Sequence, residues 1–236
     1  MVERLLSLER VDEALKVIRA ADDHELLPLA DRLVEHGHAQ EAEWLVEDRS
    51  AKSDGTHLLD WLKERALERR DKAAALALAE QIFQRQPSLH GYAEVRRLAG
   101  TKAWPELRQR LLAELERSRS AWLLIDIYLQ EQQVGAALAL LRTDWGRHSG
   151  RKLDVARAAE KEYPREALAI YRDAAVKLIE QRNRDAYRTA SEHLRKVRDL
   201  MRRVGEGDAW AGYIAELREK YRSLRALREE MDQAGL

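Results

Sequence analysis

Apolar residues recur every three or four positions over most of the chain, and short polar breaks interrupt them at regular intervals. The segment from Leu26 to Val46, LLPLADRLVEHGHAQEAEWLV, has leucines at this spacing, a break at residues 36–38, and a second apolar run from about Ala39. This spacing is typical of amphipathic α-helices. The pattern therefore predicts a helix, a tight turn and a second helix.

The same plan returns along the chain with a period of about thirty residues, and a looser copy lies near Leu107. An alanine in each copy suits a point where two helices approach closely. A period of roughly 30 to 34 residues is typical of stacked helix-turn-helix arrays. We therefore expect an all-α protein, a right-handed, tetratricopeptide-like α-solenoid of about seven stacked helix pairs in one domain, residues 1–236. The motif alanines are Ala14, Ala42, Ala74, Ala137 and Ala167.

Turn-forming residues predict where helices end. Pro105 and Pro164 suit the first turns of helices, whereas Pro28 predicts a late helix start or a kink. The last helix is expected to run unbroken from Ala209 to Gln233, either as a cap on the final repeat or as a protruding end that pairs with a partner. The predicted breaks are 50–55, 87–88, 100–103, 146–150 and 205–208.

The composition supports a helical protein without favouring a charged partner. Only 4 prolines, 11 glycines and one phenylalanine occur, so strand formers and helix breakers are scarce. The 42 basic and 42 acidic side chains balance, which gives no global attraction to nucleic acid or membranes. Residues 1–150 carry 22 basic against 26 acidic groups, and residues 151–236 carry 20 against 16. The chain thus divides into a slightly acidic block and a slightly basic block.

The sequence contains no reaction chemistry that we recognise. There is no cysteine, which excludes disulfides and thiolate metal sites. Phosphate-binding glycine loops, nucleophile elbows and zinc-binding spacings are absent. His36 and His38 flank a turn glycine, but two histidines without a third ligand make a poor metal site. We expect no enzyme, cofactor or metal, and, without an export signal or membrane span, a cytoplasmic protein.

Arginines form a stripe along the helix expected from about Arg184 to Val204. At about 100° per residue, five of them fall within roughly 40° of one direction. Such a stripe could bind phosphates or an acidic partner. The alternative is a solvated face, self-paired by acidic residues four positions away, as in Arg188 with Glu192 and Arg195 with Asp199. The candidate surface, with its neighbours in the last helix, is Arg184, Arg188, Arg195, Arg198, Arg202, Arg218, Arg222 and Arg225.

The aromatic side chains mostly align with leucines at helical spacing. Such residues normally fill the joints between stacked helices, and the alternative is a concave stacking or peptide-binding surface. Trp104, beside a proline at an expected helix start, is the exception we anticipate. The tryptophans are Trp44, Trp61, Trp104, Trp122, Trp145 and Trp210.

Several segments together resemble the C-terminal helical-repeat region of bacterial SWIM zinc-finger proteins. The resemblance covers nearly the whole chain and is strongest from Glu160 to Arg225. The segments that carry it are ELLPLADRLVEHGHAQEAEWL, QRQPSLHGYAEVRRLAG, WPELRQRLLAEL, AAEKEYPREALAIYRDAAVKLIEQRNRDAYRTASEHLRKVRDLMRRVG and YIAELREKYRSLRAL.

This resemblance implies a non-enzymatic interaction scaffold. In that family a zinc finger with Cys-x-Cys and Cys-x-His ligands precedes the repeats, and a chain without cysteine cannot carry that metal site over. We therefore expect either a fragment that begins after the finger, which the amphipathic start at Met1 favours, or a stand-alone relative. The expected partner is another protein or domain; the alternative is nucleic acid bound by the arginine stripe.

Overall fold

The computed structural model describes residues 1–143, 146–148 and 150–236, without the side chain of Arg147. These residues form fourteen α-helices and one short 3₁₀ turn, with no β-strand among them. The all-α prediction is therefore confirmed for the described chain. The helices are α1 (Val2–Ser7), α2 (Val11–Ala20), α3 (Asp23–Glu35), α4 (Ala39–Ser50), α5 (His57–Glu68), α6 (Lys72–Arg85), α7 (Leu89–Arg117), α8 (Ala121–Gln130), α9 (Val134–Leu141), α10 (Lys152–Ala159), α11 (Pro164–Glu180), α12 (Arg184–Arg203), α13 (Ala209–Lys220) and α14 (Arg225–Gln233).

The chain divides into two compact units, Met1–Leu111 and Leu112–Leu236. In the first unit α1 packs on α2, α3 on α4, and α5 on α6, while α4 also contacts α5. In the second unit α8 packs on α9, and α11 packs on both α10 and α12. Neighbouring helices thus pair within each unit. The right-handed solenoid and the single domain stay predictions.

The motif alanines lie where helices approach each other. Ala14, Ala42, Ala137 and Ala167 have no exposed surface, as expected for positions where a larger side chain would separate two helices. In the third copy the prediction is wrong by one residue, because Ala75 is fully buried and Ala74 only partly. A run of three alanines left the register ambiguous, and only packing distinguishes its members.

A turn with a left-handed residue joins the paired helices. Glu9, Gly37, Arg70 and Gln132 have φ values of 56°, 87°, 61° and 59°. After each of them, the next backbone N–H donates to the carbonyl five residues earlier, at 2.7–2.9 Å, which satisfies a carbonyl at the end of the first helix. Only one of these residues is glycine, so composition does not reveal the turn. The bonds are Arg10 to Leu5, His38 to Leu33, Asp71 to Ala66 and Gln133 to Tyr128.

Two arginines in the first unit each bind backbone carbonyls in the connection that precedes their own helix pair. Arg49, at the end of α4, donates to the carbonyls of Arg19 and Ala21 at 3.1 and 3.0 Å. Arg85, at the end of α6, donates to the carbonyls of Ser50, Ser53 and Gly55 at 2.7–3.1 Å. These carbonyls lie at or just beyond helix ends, where no intrahelical donor remains.

The predicted breaks at 50–55, 87–88 and 205–208 are confirmed as gaps between helices. At 100–103 the break is a kink, because Gly100 has φ 63° and ψ −179° inside α7. Pro164 occupies the first turn of α11. Pro28 lies well inside α3, so a late helix start is wrong. Of the break at 146–150, residues 146–148 form the 3₁₀ turn, and Ser149 lies outside the described residues.

The prediction of one long final helix is wrong. α13 ends at Lys220, and α14 begins only at Arg225. The reversal places Leu227 and Met231, each 1% exposed, in a core shared with Ala175, Tyr187 and Leu194. A straight helix could not have reached this core, so burial of the α14 side chains accounts for a break that carries no glycine or proline.

Candidate interaction surface

Helix α12 presents the predicted arginine stripe beside its buried face. The Asn183 side chain caps the helix by accepting a hydrogen bond from the backbone N–H of Ala186 at 2.9 Å. Ala190, Leu194 and Val197 are fully buried, whereas Arg184, Arg188, Arg195 and Arg202 are exposed, so the arginines flank the face that packs into the core. The apolar spacing of this helix predicts a buried stripe of Ala186, Ala190, Leu194, Val197, Met201 and Val204; the first five are buried, and Val204 is only partly buried.

The first two arginines of the stripe meet an acidic pair on α14. Arg184 Nε donates to Glu230 Oε1 at 2.8 Å and lies 3.4 Å from Glu229. Arg188 Nε lies 3.7 Å from the other oxygen of Glu230. Glu230 is only 5% exposed, and its hydrogen bond raises the pKa of Arg184. The stripe therefore compensates a nearly buried carboxylate.

Three other arginines bind groups at the C-terminal end of α14. Arg195 donates to the carbonyl of Ala234 at 2.9 Å, and Arg198 donates to that of Gly235 at 3.2 Å. Arg218 of α13 binds Asp232 at 2.6 Å and also the carbonyl of Leu236. Cations near the last turn of a helix are favourable because they meet its unpaired carbonyls and the negative end of its dipole.

These contacts correct the predicted intrahelical pairing. Arg188 pairs with Asp185, not Glu192, and Arg195 binds α14 rather than Asp199. Lys196 likewise reaches Glu160, at 3.0 Å, at the end of α10. For Arg195 and Lys196, neighbouring segments supply the partners because they place a free carbonyl or an acidic group within reach of these long side chains, whereas Arg188 has one partner in its own helix and meets Glu230 of α14 as well.

Three of the eight candidate arginines stay outside this interface between the stripe and the end of α14. Arg222 pairs with Glu219 of α13 at 2.9 Å, and Arg225 pairs with Glu229 within α14 at 3.1 Å. Arg202 makes no hydrogen bond or ion pair within the described chain. Five of the eight are thus used to hold α14, which leaves few guanidinium groups for an external ligand.

A small polar opening lies along the seam between α12 and α14. It has a volume of about 200 Å³ and is lined by Arg188, Ser191 and Arg195 from α12 and by Glu230 and Gln233 from α14. The Ser191 hydroxyl is buried without a hydrogen-bond partner in the described structure. Charged contacts join α12 and α14 at this seam, but the two helices are not tightly packed along its whole length.

An apolar groove between α9, α10 and α11 is a second candidate site, and sequence analysis missed it. Its volume is about 360 Å³, and its floor is formed by Leu138, Leu141, Ala169 and Ile170. Charged residues from three helices or their ends surround the floor. Ala169 of α11, which lines the groove, is exposed only in the context of the folded chain, so the sequence carries no local signal for this site. The charged residues are Arg142, Lys152, Glu166 and Asp173.

A partly buried contact between Tyr171 and His193 joins α11 to α12. The His193 ring lies 5.5 Å from that of Tyr171, and its Nε2 has no hydrogen-bond partner among the described residues. Burial lowers the pKa of His193, and the charge of Arg157 lowers it further, against the opposing effect of Glu192. This histidine is therefore held in its neutral form near neutral pH.

The aromatic residues only partly follow the packing prediction. Trp44 and Trp122 are 52% and 47% exposed, so for them core packing is wrong. The guanidinium of Arg19 covers the Trp44 ring at 4.8 Å. Trp104, the anticipated exception, is half-buried and meets Tyr92 edge-on at 5.0 Å. Trp145 lies outside the described residues.

The histidines of the α3–α4 turn do not form a cluster with other ligands. His36 Nδ1 lies 2.9 Å from the carbonyl of Arg32. Across the described residues, no group of three or more His, Cys, Asp or Glu side chains is placed to hold a metal ion. None of the described helices is both long and apolar enough to cross a membrane.

Over the described residues, the fold and these surfaces define an all-helical protein. No family model matches the chain. A segment of 68 residues, 29% of this chain, is 37% identical to the uncharacterized protein YwqB of Bacillus subtilis (strain 168). The match spans only 12% of the length of YwqB.

Proposed function

We propose that this chain is a non-enzymatic scaffold that binds another protein, related to the C-terminal helical-repeat region of SWIM zinc-finger proteins. The groove between α9, α10 and α11 is the observation that carries the proposal. Paired helices expose long surfaces on a rigid frame, which suits them to recognition. A groove with an apolar floor and a few charged groups at its edge is the usual form of a binding site.

The groove chemistry fits a peptide segment with one apolar anchor. Leu138 and Leu141 lie deep, at 6% and 8% exposure, and supply the surface that an aliphatic or aromatic side chain would cover. At the edge, Arg142 lies 3.9 Å from Glu166, so both signs of charge are offered. A peptide with charges of both signs beside its anchor therefore matches the site, and the edge charges determine its register.

Ala169 allows a direct test, because it is exposed on α11 and lines the groove. Peptides selected from a random library on the full chain are labelled, and their binding is measured by fluorescence anisotropy. Ala169→Arg fills the groove and should weaken binding at least about tenfold, the loss expected when an anchor is excluded from its pocket. Ala158→Arg, on the exposed face of α10, adds the same side chain away from the groove and serves as the control. Equal binding by both variants would remove the proposal.

Nucleic-acid binding through the arginine stripe is the second candidate, favoured by the exposed guanidinium of Arg202. Four arginines of the stripe, together with Arg218 of α13, are engaged with α14 and its end, so at most three of the eight candidate arginines remain for phosphates. Between about 50 and 200 mM salt, DNA affinity should then fall with a log–log slope no steeper than about −3. A slope near −7, as expected for all eight arginines, would show that α14 leaves the stripe when DNA binds. No binding at the lower salt would eliminate this candidate.

A further inference from the structure

The contact between α12 and α14 has the form of a helix bound in a groove. Leu227, Glu230 and Met231 of α14 are all at least 95% buried, and their spacing of three and four residues puts them on one face of that helix. This spacing of anchors is how amphipathic helices are recognised in grooves of other proteins. The arginines of α12 provide the electrostatic half of the recognition, since they meet Glu229 and Glu230.

The contact joins residues that are far apart in sequence, and α13 between them adds Arg218, which binds Asp232. Residues 221–224 join α13 to α14, and Arg184, 46 positions before Glu230, makes the closest side-chain contact with it. The site on α12 is thus built from residues distant in sequence from its ligand. It recognises acidic side chains beside two apolar anchors, a chemistry that another helix can supply.

The seam also shows where a competing helix can begin to enter. The polar opening beside Arg188 and Arg195 is not filled by α14, and the buried hydroxyl of Ser191 lacks a partner there. A buried hydroxyl without a hydrogen bond is unfavourable. The α14 helix therefore satisfies this face incompletely, and a longer acidic helix that covers the opening would satisfy more of its polar groups.

We propose that the arginine face of α12 is a docking site for an acidic amphipathic helix of a partner protein, and that α14 occupies this site until the partner displaces it. Tethering gives α14 an effective concentration in the millimolar range. A partner helix with the same contacts is therefore suppressed, and it binds well only when its contacts exceed those of α14. The site is independent of the groove between α9, α10 and α11, which other residues line.

The test uses a labelled peptide with the sequence of residues 222–236 as the probe. It is titrated by fluorescence anisotropy into the full-length wild-type chain and into a full-length Leu227→Ala, Met231→Ala variant whose own α14 is loosened. Apparent affinity scales with the fraction of open sites, so the variant should bind the peptide at least about tenfold more tightly than the wild type. A peptide with both anchors replaced by alanine is the control and should not bind.

Equal affinities for the two proteins, or equal binding of the control peptide, would overturn the proposal. If the double variant loses its helical circular dichroism, the single variant Met231→Ala is used with the same two outcomes. A charge exchange checks specificity. When Arg184→Glu and Arg188→Glu are added to the loosened variant, the protein should bind the probe peptide more weakly. It should instead bind more tightly a peptide that carries Glu229→Arg and Glu230→Arg. Failure of the exchanged pair to recover binding would show that the arginines do not recognise the helix.

Discussion

Lys63 provides the most direct test of how the first unit is held together. Its side chain is 6% exposed and lies 3.0 Å from Glu94 of α7 and 3.1 Å from Asp60 of its own helix. Burial opposes the charge of Lys63, but hydrogen bonds with Asp60 and Glu94 outweigh this effect and raise its pKa. The perturbation is Lys63→Met, which keeps the length of the apolar stem and removes the ammonium group.

The expected loss in the free energy of unfolding depends on the carboxylate that Lys63→Met leaves without its partner. Glu94 is 17% exposed, and its other cationic neighbour, Arg97, is 3.7 Å away. Breaking a fully buried ion pair costs about 3–5 kcal/mol, whereas an exposed pair contributes about 0–1 kcal/mol. Because Glu94 keeps some solvent contact, we expect the free energy of unfolding to fall by about 2–3 kcal/mol. Urea denaturation followed by circular dichroism measures it.

A double-mutant cycle separates the ion pair from general packing. Combining Lys63→Met with Glu94→Gln should cost less than the sum of the single variants, with a coupling energy of about 1–2 kcal/mol. Lys16→Met, at an exposed position of α2, is the control and should stay within about 0.5 kcal/mol of wild type. A loss below 0.5 kcal/mol for Lys63→Met, or zero coupling, would refute the reasoning.

The raised pKa also fixes the direction of a pH effect. The stabilisation by Lys63 is fully present below its unfolded pKa of about 10.4 and is lost as the pH rises through the higher folded value. The difference in stability between wild type and Lys63→Met should therefore shrink in strongly alkaline buffer. A difference that grows with pH would contradict the assigned charge.

Three further outcomes are expected. Arg85→Ala removes three hydrogen bonds to backbone carbonyls and should lower the free energy of unfolding by about 2–3 kcal/mol in urea melts. The control Gln84→Ala, at an exposed neighbouring position, should change it little. Equal effects of the two variants would contradict the anchoring role of Arg85. Gln132→Gly relieves a φ of 59° and should stabilise the fold by about 0.5–1 kcal/mol; a loss in the thermal melt would contradict the strain. The wild type should lose stability as pH falls below about 6.5, because burial lowers the pKa of His193 and the unfolded chain then binds more protons. His193→Gln should flatten this dependence of stability on pH. An unchanged dependence would assign it to other groups.

Helix formation could be predicted because it depends on local periodicity. The arginine stripe and the buried face of α12 follow from residues three and four positions apart, and the structure retains both. The predicted breaks at 50–55, 87–88 and 205–208 lie between helices, but the left-handed turns within the helix pairs were not predicted. Arg70 and Gln132 adopt a left-handed conformation that their side chains do not favour, and the packing of the paired helices holds them there.

The sequence by itself determined that the chain is helical, where several helices end, and most of the buried face of α12, because these properties arise from neighbours within one or two turns. Tertiary structure decided the rest. The break after Lys220 carries no strong turn residue, and it exists because Leu227 and Met231 are buried against distant helices. The partners of Arg184 and Arg195 lie about 40 positions away, so no local pattern could reveal that the stripe holds α14.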